Sequence, residues 1–151
     1  MKEKTRQTLN ELLVELFYYI LYIEERNLKD KEVTLSMSEI HLLEQVHKAS
    51  NNNVTSIASK MMITKSTFSI NASRLIRKGY LTKYKDAEDA RIVRMEVTDK
   101  ALKVLEIHDE FHDHLINKAI EDLNLEENQV LNQSLESILA YFRQEYEAMT
   151  N

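Results

Sequence analysis

The chain has 151 residues and a formal net charge of -5, with 43% hydrophobic and 30% charged residues. That is enough apolar material for a folded core and does not match the composition of disorder. One glycine, Gly79, and no proline or cysteine exclude glycine-rich phosphate loops, disulfides, thiolate catalysis and cysteine zinc sites. The longest apolar stretch, Leu16 to Ile23, is too short to span a bilayer, and Met1 to Arg6 lead into an amphipathic pattern rather than a signal peptide. A cytoplasmic, mainly α-helical protein with no membrane partner is expected.

Leu9, Leu12, Leu13, Leu16, Phe17 and Ile20 recur at helical spacing and predict a long first helix over about residues 5–28. Tyr18, Tyr19 and Tyr22 widen its apolar stripe beyond one face, as in a helix packed both within its subunit and against a partner. Ser36 and Glu39 have the spacing of a capping box and open a second helix through Ile40, Leu43 and Val46, ending near Ala49. Asn53 is placed to cap a short helix to about Lys60, and Thr64 a longer one through Lys78, which Gly79 stops. A short helix, a three-residue connector and a longer helix outline a helix-turn-helix. Tyr80 to Lys85 and Arg91 to Val97 alternate like the strands of a hairpin. Thr98 or Asp99 begins another long helix, and Asn124 with Glu127 the last one.

The charge is unevenly spread. Residues 1–59 carry a net -2, residues 60–100 a net +5 and residues 101–151 a net -8. The predicted helix in the basic window offers an outer face of Lys65, Ser66, Thr67, Ser69, Asn71, Ser73 and Arg74, with no Asp or Glu anywhere from Lys60 to Lys85. Such a slim face suits the major groove: hydroxyls and amides bond phosphates or base edges, and the cations neutralise phosphates. Thr64 places a capped helix N-terminus where a phosphate can sit. In the hairpin, Arg91 beside Asp89 at the loop tip, with Lys83, Lys85 and Arg94 flanking, suits a narrow minor groove. Double-stranded DNA is the expected partner.

Residues 36–101 resemble the winged helix-turn-helix of the MarR family of transcription regulators. The resemblance is most specific from Gly79 to Arg91 and from Met95 to Ala101. Where the family often has Asp-x-Arg-Asp-x-Arg in the wing, this chain keeps Asp86, Asp89 and Arg91 but places Glu88 at the middle arginine. The resemblance implies a mainly α fold with a small β-hairpin wing. Residues 36–98 would bind DNA, and residues 1–35 with 99–151 would form the long N- and C-terminal dimerisation helices of a homodimer. It further implies a repressor of a pseudo-palindromic operator, responsive to an effector. Two long apolar-rich helices at opposite ends of the chain argue for the dimer independently, and half-sites would lie about 10 bp apart.

His108 and His112 share a helix face. Their spacing, H-x-E-x-H, displaces the acid from its place in zinc proteases, and no nucleophile accompanies it, so no enzyme is expected. Two resemblances within the family diverge here. Zinc-responsive members imply a metal site from Glu24 or Glu25, His41, His108 and His112, with zinc as a possible cofactor. The FabT-like branch, similar at Ile23 to Leu28, Ser38 to His41 and Phe111–His112, implies instead no cofactor and control of fatty-acid synthesis genes by an effector. That effector would be a small molecule or an acyl chain on acyl carrier protein, against walls such as Met37, Met61, Met62 and the first-helix tyrosines.

Overall fold

A computed structural model describes residues 2–126 and 128–150. Its elements are α1 (Lys2–Asp30), α2 (Met37–Lys48), α3 (Val54–Lys60), α4 (Lys65–Arg77), β1 (Leu81–Lys85), β2 (Val93–Val97), α5 (Asp99–Asp122) and α6 (Gln129–Thr150). Two compact units divide the chain, residues 1–111 and 112–151. No described helix is long and apolar enough to cross a membrane.

In the first unit the core gathers on α2. Ile40, Leu42 and Leu43 are fully buried, and Ile57 of α3, Phe68 and Leu75 of α4, Leu81 of β1 and Ala101 of α5 close around them. Local chemistry sets where the helices begin. The Ser36 hydroxyl accepts the Glu39 N–H (3.3 Å) and the Glu39 carboxylate accepts the Ser36 N–H (3.0 Å), a capping box. Asn53 accepts from Ser56 N–H (2.8 Å), and Thr64 from Thr67 N–H (3.1 Å). Thr98 accepts from Ala101 N–H (3.3 Å) and so caps α5, while its own hydroxyl donates to the Gly79 carbonyl (2.8 Å).

Helix α4 ends in a Schellman motif: Tyr80 N–H reaches the Leu75 carbonyl (2.9 Å) and Gly79 N–H the Ile76 carbonyl (3.0 Å), with Gly79 at φ +79°. The strands pair antiparallel, Leu81 opposite Val97 and Lys85 opposite Val93. The second strand starts two residues later than the alternation suggested, because Arg91 and Ile92 are used in closing the turn.

Helix α1 is longer than its apolar pattern, running from Lys2 to Asp30, yet buries only Glu24 and Leu28. In the second unit α6 buries nothing among its described residues. Asn124 does not open that helix. It stands at φ 50° at the end of α5, where Leu125 N–H reaches the Ile120 carbonyl (3.0 Å), and Asn128 is the cap, accepting from Leu131 N–H (3.0 Å). The expected capping partner Glu127 lies outside the described residues.

Candidate nucleic-acid interface

On α4 the residues turned outward are Lys65, Ser66, Thr67, Ser69, Ile70, Ser73, Arg74 and Arg77, opposite the buried Phe68, Ala72 and Leu75. Asn71, read from the sequence as part of the outer face, is half-buried, since the helix turns it toward the core side. Ile70 and Arg77 were missed, although their helical positions gave the signal. The Thr64 and Thr67 hydroxyls are 2.9 Å apart and bonded to one another, so the cap is self-contained. Ser69, Ser73, Arg74, Arg77 and Lys83 line a groove of about 690 Å³ whose cations meet no acid from Lys60 to Lys85. Lys83 and Lys85 are exposed on β1.

Two carboxylates build the wing tip. Asp86 accepts the backbone N–H groups of Glu88 (2.9 Å) and Asp89 (3.0 Å) and the Arg94 guanidinium, and these bonds hold its carboxyl below the usual range, the Asp89 N–H first among them. Asp89 accepts from Arg91 through its backbone N–H (3.0 Å), Nε (2.9 Å) and Nη2 (2.8 Å). That fork lowers the Asp89 carboxyl and raises the Arg91 guanidinium. Arg91 nevertheless remains 91% exposed.

Arg94 is placed differently from the other predicted cations. Besides Asp86 it donates to Asn51 (3.1 Å) and Asn52 (3.2 Å). Asn52 in turn donates to the Met95 carbonyl (2.8 Å) and the Tyr84 hydroxyl (3.1 Å), and its own carbonyl accepts the Met95 N–H (3.0 Å). The polar loop 50–53 thereby fastens the wing to the start of α3.

Elsewhere in the first unit, Glu24, His41 and His108 bring ligand-capable atoms within 4.8 Å of one another. Glu24 Oε1 lies 3.8 Å from His108 Nε2, both residues being 3% exposed, and the His41 and His108 rings meet edge to face at 5.9 Å. His112, the fourth ligand suggested by the sequence, belongs to the second unit. One carboxylate and two imidazoles are a donor set that zinc accepts. On the other side of His108, Glu44 and Asp109 approach its ring. Burial pushes the Glu44 carboxyl up, but Lys48 (2.5 Å) and the neighbouring histidines outweigh it and hold the group below its ordinary value. A separate cavity of about 690 Å³ beside the α1–α2 connector is lined by Leu28, Val33 and Leu35 with Glu25, Lys29 and Glu32. The methionines and tyrosines suggested as acyl walls do not line it: Met37 lies in the core, and Met62, Tyr18, Tyr19 and Tyr22 are exposed.

The chain is similar to known proteins in sequence and in shape. Residues 35–93 match the MarR family. An uncharacterised HTH-type transcriptional regulator of Bacillus subtilis, YhjH, is 35% identical over 78 residues, 52% of this chain; the match spans 45% of that relative's length. Streptococcus pneumoniae FabT, solved in complex with DNA, superposes with a TM-score of 0.84 at 27% identity, covering 92% of this chain and 98% of the other. Staphylococcus aureus MepR, also solved with DNA, shares the fold at a TM-score of 0.65 and 23% identity, covering 84% and 96%. Residues 35–93, which hold the helix-turn-helix and most of the wing, are thus similar to the MarR family, and the chain as a whole shares the fold of FabT and MepR.

Proposed function

We propose that the chain is a homodimeric, sequence-specific DNA-binding transcriptional regulator, acting as a repressor. Residues 36–98 serve as its reading head, and residues 1–35 with 99–151 as its dimerisation region. The observation that carries this reading is the outward face of α4, free of acids and lined with Arg74, Arg77 and Lys83, beside a wing whose arginine is oriented by Asp89 yet exposed. Thr64, Lys65, Ser66, Thr67, Ser69, Ser73 and Lys85 complete the contact set, with Arg94 holding the wing. The DNA complexes of FabT and MepR support it. Fluorescence anisotropy with duplex DNA from upstream of the coding sequence tests it: binding should weaken steeply as salt rises. Absence of salt-sensitive binding would overturn the reading.

The resemblance of Ile23 to Leu28, Ser38 to His41 and Phe111–His112 to the FabT-like branch favours genes of fatty-acid synthesis as targets, with acyl chains on acyl carrier protein as effector. Acylated carrier protein should then change the DNA affinity while the unacylated carrier does not. The meeting of Glu24, His41 and His108 favours a second reading, in which these residues hold zinc and the metal sets the affinity for DNA. Metal analysis of untagged protein, with chelator added to the binding assay, separates the two. Absence of bound metal and no effect of the chelator would remove the zinc reading.

A further inference from the structure

We propose that Ile70 is a base-reading residue, its side chain packing on the 5-methyl group of a thymine in the major groove. The proposal rests on the DNA-binding reading above and names one chemical feature of the sequence that is read.

An α-helix turns about 100° per residue. With Phe68, Ala72 and Leu75 marking the buried side of α4, Ile70 points roughly 165° away from it, at the crest of the outward face. Ser66 lies one turn before it and Arg77 two turns after, and Ser73 and Arg74 flank it. Ile70 is 57% exposed and is the one large apolar side chain that α4 exposes to that degree. Scattered surface hydrophobics are ordinary and signify nothing alone. This one stands in the groove formed with Ser69, Ser73, Arg74, Arg77 and Lys83, a rim of hydroxyls and cations.

The charge of that rim decides the occupant. A stretch from Lys60 to Lys85 without a single acid attracts a polyanion. The small serines beside Ile70 let it approach a surface closely. The thymine methyl is the apolar group that a base pair presents in the major groove. Isoleucine is stiff about χ1, so it loses little freedom on contact. The cations would hold phosphates and fix the register, and Ile70 would distinguish thymine from the other bases.

The test separates this inference from the reading beneath it. Sites are selected from a random-sequence duplex library with the full chain at one salt concentration, and each thymine of the selected site is replaced in turn by deoxyuridine. That change keeps every hydrogen-bonding group and removes only the methyl. At one thymine in each half-site the replacement should weaken binding about fourfold, the equivalent of one buried methyl-sized group. Ile70→Ala should bind the thymine and uracil duplexes alike, and Ile70→Val should retain most of the difference. Thermal unfolding of both variants should match the parent, since the residue is exposed. If the chain binds selected DNA but no thymine is methyl-sensitive, or if Ile70→Ala keeps the discrimination, the proposal is overturned while the DNA-binding reading stands. If no duplex is selected at all, both fall.

Discussion

At the wing tip, Asp89 holds the Arg91 guanidinium through both Nε and Nη2 without covering it. An exposed ion pair adds little to folding, so its effect is on aim: the arginine loses less freedom when it docks. Arg94 has the opposite character, with its Nε given to Asp86 and its Nη1 to Asn51 and Asn52. Arg91→Ala is therefore expected to weaken DNA binding and to lower the slope of log affinity against log salt by about one. Arg94→Ala should weaken binding with the slope unchanged, because it loosens the wing rather than losing a phosphate contact. A salt series by anisotropy distinguishes them, and equal slope changes would count against this division. Sequence alone grouped the two arginines, since nothing local marks that Asn51 and Asn52 lie against one of them.

Glu39 shows the same limit. Its pairing with Ser36 is visible at a spacing of three, but its ion pair with Lys78 (2.7 Å) joins residues 39 apart. Burial pushes the Glu39 carboxyl up, while Lys78 and the Ser36 N–H outweigh this and hold it below its ordinary value. A carboxyl depressed in the folded chain stabilises it above the unfolded-chain pKa, and that contribution is lost as pH falls through the folded value. Glu39→Gln should therefore unfold at a lower denaturant concentration than the parent at neutral pH, and the two curves should converge below the usual carboxylate range. A constant gap down to strongly acidic pH would show that the charge is not responsible.

Among the elements, helix starts were more legible than helix stops. Ser36, Asn53 and Thr64 cap as their side chains dictate, and Thr98 does so for α5. At the other ends, only Gly79 announces a left-handed residue. Glu32 (φ 58°), Met62 (φ 57°) and Asn124 (φ 50°) occupy the same conformation. Each accompanies a hydrogen bond from the following residue to the carbonyl five before it: Val33 to Leu28 (2.9 Å), Ile63 to Ala58 (3.1 Å) and Leu125 to Ile120 (3.0 Å). Glutamate and methionine adopt it against their own preference where the residues that follow, Val33 and Ile63, pack against the core, so no residue type signals it. Gly79→Ala is expected to cost about 1 kcal/mol, with no steric clash involved, since nothing lies within 4 Å of an added Cβ. Met62→Gly should do the reverse, stabilising by about 0.5 kcal/mol, because relief of the left-handed strain exceeds the extra entropy of an unfolded glycine. Met62 is 66% exposed, so little packing is lost. Chemical denaturation measures both, and a destabilised Met62→Gly would contradict the account.

At the scale of the whole chain, the division of charge into a basic window between acidic flanks was plain in the sequence, and so was the surplus of apolar helix. The structure gives that surplus a location. Within α1, Leu12, Leu13, Leu16, Phe17, Tyr18, Tyr19 and Tyr22 are all more than 40% exposed, and α6 exposes Val130, Leu135, Leu139, Tyr141 and Phe142. Apolar surface of this extent is covered by association in a stable protein, and a second copy covers equivalent surfaces symmetrically. Sedimentation should therefore give a dimer at micromolar concentration, and Leu13→Glu combined with Phe17→Glu should give a monomer. These residues lie apart from the core built around α2, so the variant's winged helix should stay folded and keep its circular dichroism. Its affinity for a duplex with two half-sites should nonetheless fall by roughly a hundredfold or more, because the second half-site is no longer engaged at the effective concentration that a dimer provides. Its affinity for a single half-site should match the parent's. A monomeric variant that bound the double site as tightly as the parent would separate dimerisation from DNA recognition and overturn the coupling of the two.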